Sequence, residues 1–363
     1  MSEARQKIIR IRAFMEDMKI HYLLLNRVSS FAWATCGVAS YVNIATSIGE
    51  ASLLVTPSNQ HLITNNIEAT RLEQEDTLVE QGWEFHTTPW YKTSETIKGL
   101  VGKGRMGADV PYHGAIDLSL EISHLRADLT PEEGDRNQKL GRLCAEAMHR
   151  ATQKVQPGQT EYQIAGILAQ EAESHGMQAI VNLVATDERI FQYRHPLPTH
   201  KKLDRYAMLV LCGRRWGLVC SITRFVHFGS LAEDLRRKSE AVAKVDATFI
   251  DATRPGNRLG DVFKKAMEVY AETGFPDEWK QHHQGGPTGY EPREHIAAPS
   301  SRYQVKEGQV FAWNPSITGT KSEDTILIGE RKNKILTLID GWPTLTVGVN
   351  NRTYERPAIM EIT

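Results

Sequence analysis

His195, set between Arg194 and Pro196, is the residue of this chain best placed to move protons near neutral pH. An imidazole that titrates near neutrality takes a proton from water and returns it to a leaving nitrogen, which is worth roughly 10²–10⁴-fold in rate. Glu323 could hold a cationic or N–H-bearing substrate, or orient that imidazole, and Arg293 could grip a carboxylate through its two-pronged guanidinium. Hydrolysis of an amide or amidine also needs donors aimed at the charge that develops, and Ser221, Thr223, Asn314 and His282 are all of a suitable type. The sequence does not choose among those four. Together these groups outline a small, zwitterionic substrate. Each also has a plainer reading: His195 as an ordinary loop histidine, Arg293 with Glu294 as surface ion pairs worth little, and His282-His283 as structural, since adjacent residues rarely face one ion. Trp33, Trp216 and Trp313 could line a pocket, though large aromatics more often belong to the core. Glu323 sits beside Asp324, and strand alternation turns one of the two inward.

The elements that must position these residues fall into two parts. Residues 22–25, 52–56 and 61–64 read as strands, with Pro57-Ser58-Asn59-Gln60 as a turn, and residues 69–74, 93–101 and 117–125 read as helices, which predicts an α/β unit. Near Asp128-Leu129-Thr130-Pro131 the chain changes character: Thr130 caps a helix, Pro131 occupies its first position and Glu133 closes a capping box. The expected domains are therefore 1–128 and 129–363. In the second, a helix over 132–154 ends at Pro157-Gly158 and Thr160 caps another over 161–174. About a hundred residues on, helices over 235–252 and 259–273 flank Pro255-Gly256 in the same way, which suggests a pseudo-symmetric unit. Strands are expected over 208–212, 216–228 after a turn at Gly213-Arg214-Arg215, 309–314 and 324–328. Helices outside a curved antiparallel sheet that encloses a cleft is the architecture these imply.

Composition narrows the function. With 363 residues, 40% of them hydrophobic and 24% charged, the chain can bury two cores. A net charge of -1 supplies no field for nucleic acid or an anionic membrane, so neither is expected as a partner. Cys36, Cys144, Cys212 and Cys220 are too few and too scattered for a disulfide framework or a closed zinc site, and read as thiols in a reducing cytoplasm. The first twenty residues form a charged amphipathic helix rather than a signal peptide, and no run approaches the roughly 18 apolar residues of a membrane span.

Five motifs in order carry a resemblance. Arg194-His195-Pro196-Leu197-Pro198-Thr199, Leu211-Cys212-Gly213, Ser221-Ile222-Thr223-Arg224, the glycine-rich segment 282–294, and Asn314-Pro315 with Ser322-Glu323-Asp324-Thr325 resemble the signatures of the creatinase, aminopeptidase P and prolidase superfamily. The resemblance spans nearly the whole chain and implies that superfamily's pita-bread fold: an α/β N-terminal domain, then an α+β C-terminal domain with pseudo-symmetric helix pairs over a curved antiparallel sheet. Metal-dependent members hold two divalent ions with two Asp, one His and two Glu. Here Leu211, Ser221, Gly286 and Asn314 stand at four of those positions and only Glu323 remains, so no metal and no cofactor is expected. Creatinase, a member that works without metal, has Arg before Glu where this chain has Arg293-Glu294. The likeness gives His195 the role of general acid/base and Glu323 that of binding a cationic substrate, while Thr223 stands where creatinase has a second glutamate. The first expectation is thus a metal-independent, creatinase-like hydrolase of a C–N bond in a small amino-acid-like or guanidino molecule. An Xaa-Pro dipeptidase or aminopeptidase with an atypical metal site and a catalytically silent binding protein on the same fold are the alternatives. A homodimer is expected from the resemblance alone, with a segment bearing Phe31, Tyr41 and Asn43 able to reach across.

Overall fold

Strand-forming and helix-forming segments alternate through the first third of the chain, and they build one sheet. The structure, a computed structural model, describes residues 1–92 and 94–363 and divides into two compact units, Met1–Arg126 and Ala127–Thr363. The first contains α1 (Glu3–Asp17), β1 (Tyr22–Arg27), α2 (Val28–Ala34), β2 (Ile48–Val55), β3 (Gln60–Asn65), α3 (Ala69–Gln74), β4 (Glu84–Thr88), α4 (Ser94–Leu100), β5 (Met106–Ala108), β6 (Ala115–Asp117) and α5 (Ser119–Ala127). Its strands form a mixed sheet in the order β4-β3-β2-β1-β5-β6. Leu23, Leu24 and Leu25 of β1 and Leu53, Leu54 and Val55 of β2 are all buried. Continuous apolar runs of this kind mark strands covered on both faces. Helix α5 begins two residues later than its pattern suggests, because Asp117 caps the turn by accepting the Ser119 N–H at 2.9 Å. Thr93, the expected first residue of α4, lies outside the described residues.

The second unit opens with α6 (Pro131–Thr152) and α7 (Glu161–Ser174). Both start with reciprocal capping boxes, Thr130 with Glu133 and Thr160 with Gln163. There follow β7 (Gln178–Thr186), α8 (Glu188–Gln192), β8 (Tyr206–Arg215), β9 (Leu218–Phe228), α9 (Glu233–Ala252), α10 (Leu259–Glu272), β10 (Gly285–Thr288), β11 (Val310–Trp313), β12 (Ser316–Ile317), β13 (Thr320–Lys321), β14 (Asp324–Leu327), β15 (Lys334–Ile335), β16 (Thr344–Val349), β17 (Arg352–Pro357) and β18 (Met360–Ile362). One sheet runs β18-β9-β8-β7 and another β10-β11-β14-β15. The β8–β9 turn is shifted from Gly213-Arg214-Arg215 to Trp216-Gly217. Both of these have positive φ, 52° and 72°, the conformation of a two-residue hairpin turn whose twist matches the strands it joins. Trp33 and Trp313 are fully buried core residues, and Trp313 stacks on Phe249 with ring centroids 4.3 Å apart.

The internal repeat is visible atom for atom at its turns. Gly158 and Gly256 both adopt φ of +87°, and their N–H groups donate to Leu203 O and Val305 O, each at 2.8 Å. The second copy has lost its side-chain caps: Ala232 and Arg258 occupy the N-cap positions of α9 and α10 without a side-chain hydrogen bond.

The two sheets of this unit meet edge to edge. Thr223 N–H donates to Glu323 O at 3.3 Å, and Thr325 Oγ1 both accepts from Ser221 N–H at 2.8 Å and donates to Ser221 O at 2.9 Å. Beneath that seam lies a buried ion network: Arg356 bridges Asp246 and Asp324 at 2.6 Å each, and Arg224 reaches Asp324 at 2.8 Å. No helix among the described residues is long and apolar enough to cross a membrane.

A Cβ added at Gly158 or Gly256 would meet nothing within 4 Å, so replacing either by alanine changes backbone energy alone. Gly158→Ala and Gly256→Ala are each expected to destabilise by about 1–2 kcal/mol, and by equal amounts because their φ angles match. Unfolding midpoints of the two variants measured side by side check this.

Candidate functional site

The seam between β9 and β14 places one carboxylate among several donors. Glu323 is 2% exposed. Its Oε2 accepts from Thr223 Oγ1 at 2.5 Å and from Lys321 Nζ at 2.9 Å, while Oε1 accepts from Arg293 NH2 at 3.1 Å. Burial by itself raises this carboxyl's pKa. The Lys321 ammonium, then the Arg293 guanidinium and the Thr223 hydroxyl, outweigh it and hold the group down at about 2. Arg293 also donates through NH1 to Pro292 O at 2.6 Å and to Ser221 Oγ at 3.3 Å. Ser221 and Thr223 share a face of β9 because they are two apart, which is how both reach this cluster. Asp324, on the opposite face, belongs to the Arg224–Arg356 network instead. Glu294 does not join Arg293 in a surface pair; it accepts the Tyr290 N–H at 2.9 Å.

Beside the carboxylate, three imidazoles gather. His282 Nε2 stands 2.9 Å from His195 Nε2, and the His282 and His283 rings stack with centroids 4.4 Å apart. Their ligating atoms all lie within 4.8 Å of one another, so these adjacent histidines do face a common point. Burial first, and then Lys321, hold His282 down at about 2; burial and then Arg293 hold His283 at about 4. His195 is shifted down as well, by burial and then Lys321, with Glu323 opposing. All three are therefore neutral at physiological pH, and only His195 is exposed. A cavity of about 10 Å³, room for a single water, is lined by His282, Lys321, Arg194 and Ser316. Asn314 is buried next to this segment, its N–H on Gln284 O at 3.0 Å and its Oδ1 without a partner among the described residues.

Two expected roles change. The sequence offers Arg293 as a fork for a substrate carboxylate, but its terminal nitrogens are engaged by Glu323, Ser221 and Pro292. It offers Glu323 as the anchor of a cationic substrate, but Lys321 and Arg293 already neutralise it. Lys321 is the residue the sequence reading missed. Its signal was present: it sits two positions before Glu323, which puts both side chains on one side of an extended chain.

The fold so assembled is that of known structures. The prolidase from Pyrococcus horikoshii OT3 superimposes with a TM-score of 0.79, covering 92% of this chain and 99% of that one at 19% identity. The Xaa-Pro dipeptidase from Bacillus anthracis gives 0.79 over 99% and 100% at 16% identity. This is the pita-bread fold. The profile of metallopeptidase family M24 matches residues 135–330, and the chain belongs to that family. An uncharacterized peptidase of Staphylococcus haemolyticus is 26% identical over 242 residues, 64% of this chain and 68% of that protein. These likenesses favour the peptidase alternative over the creatinase-like first expectation.

A metallopeptidase family implies metal, and the residues at the five ligand positions do not fit a pair of dications. Leu211 is fully buried and carries no donor. At Gly286 a Cβ would come 2.4 Å from His295 O, so this backbone accepts no ligating side chain there. Ser221 and Asn314 are neutral, and Glu323 is occupied by two side-chain cations. His195, His282 and His283 are the site's remaining candidates for holding a metal. Beside them Lys321 (+1), Arg293 (+1) and Glu323 (−1) sum to +1, which opposes a cation.

Glu323→Gln leaves two buried cations uncompensated, and about 3–5 kcal/mol of stability should be lost at pH 7. Because the folded carboxyl titrates at about 2 and the unfolded one near 4.3, the carboxylate's contribution is complete above pH ~4.3 and disappears as pH falls toward 2. The gap between wild type and Glu323→Gln, followed by denaturant unfolding against pH, should therefore close across that window.

Proposed function

We propose that this chain is a peptidase-type hydrolase that cleaves the C–N bond of a small amino-acid-like substrate bearing a carboxylate, with His195 carrying the proton. The observation behind this reading is the His195–His282 contact beside the Glu323–Lys321–Arg293 cluster. His195 is exposed and neutral, the form that takes a proton from water. His282, half-buried and neutral, shares one proton with it across 2.9 Å and so fixes its ring plane and tautomer. In the arrangement where His195 Nε2–H donates, its Nδ1 is bare and serves as the base. The cluster's net +1 favours a carboxylate nearby and disfavours a guanidinium. That supports a dipeptide or acyl-amino acid, in line with the peptidase relatives, and weighs against a creatine-like molecule.

A second reading, a binding protein without catalysis, has the water-sized cavity beside His282 in its favour: it is walled by the protein's own Arg194 and Lys321 and has no room for a dipeptide. One panel separates the readings. Xaa-Pro and other dipeptides, acyl-amino acids and guanidino acids are incubated with the protein, both after EDTA treatment and with manganese, zinc or cobalt added. Dipeptide or acyl-amino acid cleavage that falls about 10²–10⁴-fold in His195→Ala is the expected result. Cleavage confined to guanidino acids would restore the creatinase-like reading, and turnover of nothing would leave the silent one.

A further inference from the structure

The N-terminal unit holds a second cluster of metal-ligating side chains, and the hydrolytic reading has no use for it. Strands β3 and β4 are parallel neighbours whose register sets His61 opposite Glu84 and Ile63 opposite His86. Residues two apart on a strand share a face, so His61, Glu84 and His86 project to the same side. His61 Nδ1 lies 3.0 Å from Glu84 Oε2 and 3.1 Å from His86 Nε2, and all three ligating atoms fall within 4.8 Å of one another. One ring nitrogen has a single proton or lone pair to divide between these two neighbours, which at best gives a weak three-centre contact. A cation seated among the three would take a lone pair from each.

We propose that His61, Glu84 and His86 form a binding site for a divalent transition metal of zinc's class. Ligands about 2.1 Å from a common ion stand about 3.0 Å apart at a right angle and about 3.4 Å apart at the tetrahedral angle. The observed 3.0 and 3.1 Å from His61 match those separations to within a few tenths of an ångström, and the third pair, Glu84 and His86, lies within 4.8 Å and closes by a rotation of the exposed Glu84 side chain. Two imidazoles with one carboxylate suit zinc, cobalt or nickel, whereas calcium and magnesium demand more oxygens. The charge is also right: Glu84 contributes an anion, in contrast to the net +1 beside His195. His61 forms the floor, with its side chain 9% exposed, while the Glu84 side chain is 56% exposed and leaves room for water as a further ligand. Strand β4 is the edge of its sheet. A metal held by one residue of β3 and two of β4 clasps that edge strand to its only neighbour, and binding to the folded state alone stabilises it.

The test uses the full chain, stripped with EDTA and titrated with cobalt(II), whose visible absorption reports nitrogen and oxygen ligation, followed by displacement with zinc. Thermal unfolding is recorded with and without zinc. Wild type should show a cobalt site that zinc displaces, and zinc should raise its melting temperature. His86→Ala should abolish both effects, Glu84→Gln should weaken binding by roughly tenfold or more, and His283→Ala should change neither. Circular dichroism of each variant confirms that it folds, and His86→Gln, closer in size, repeats the measurement should His86→Ala fail to. Absence of the cobalt spectrum in wild type at about 0.1 mM metal overturns the proposal. So does a spectrum that survives in folded His86→Ala or His86→Gln, or one that disappears in His283→Ala, which would move the metal to the other histidine cluster.

Discussion

The C-terminal unit is organised around one buried carboxylate. Glu323 is where two separate sheets touch, and its oxygens collect Thr223 from one, Lys321 from the end of β13 and Arg293 from the segment after β10. A lone buried carboxylate is costly, and so is a lone buried ammonium or guanidinium. Here each of the three lowers the cost of the others, so none can be changed independently. Its cations also act on their neighbours: burial first, and then the ammonium and guanidinium, keep the surrounding imidazoles neutral, and a neutral His195 is the only form able to begin by accepting a proton.

How much of this was legible in the sequence depends on distance along the chain. The capping boxes at Thr130 and Thr160, the strand alternation and the repeated Pro-Gly turns are local, and local rules read them well. The pairing of Thr223 with Glu323 spans a hundred residues, yet the ordered motifs pointed to it, since they name residues that must meet. What could not be read was occupancy. Whether Arg293 faces a substrate or the protein's own carboxylate depends on which side chains crowd the same space, and Lys321, lying outside every quoted motif, decides it. The position of the β8–β9 turn was misread for a different reason. Trp216 tolerates a left-handed backbone there only because the strands on either side impose it, and propensity alone assigns a tryptophan to a strand.

The repeat shows how far duplicated geometry outlives its sequence determinants. The two glycine turns retain the same backbone angle and the same hydrogen bond, while the caps that start the first pair of helices have vanished from the second. Helices α9 and α10 are held by tertiary packing instead, with Phe249, Phe263 and Tyr270 buried in a shared aromatic and aliphatic core. Local signals become dispensable once packing fixes an element in place.

The glycine at position 286 gives this history a direction. A side chain there would meet the His295 carbonyl oxygen at 2.4 Å and would have to push that segment away, while the nearby Glu323 carboxylate is already paired with Lys321 and Arg293. A set of metal ligands could not be installed here one residue at a time. A histidine at 286 would strain the backbone before it had an ion to hold, and a carboxylate at 221 would first meet the Arg293 guanidinium and bind that. Each such substitution is unfavourable until the others are made, which makes the handful of them a ratchet: this site admits further departures from a metal-binding arrangement far more readily than steps toward one.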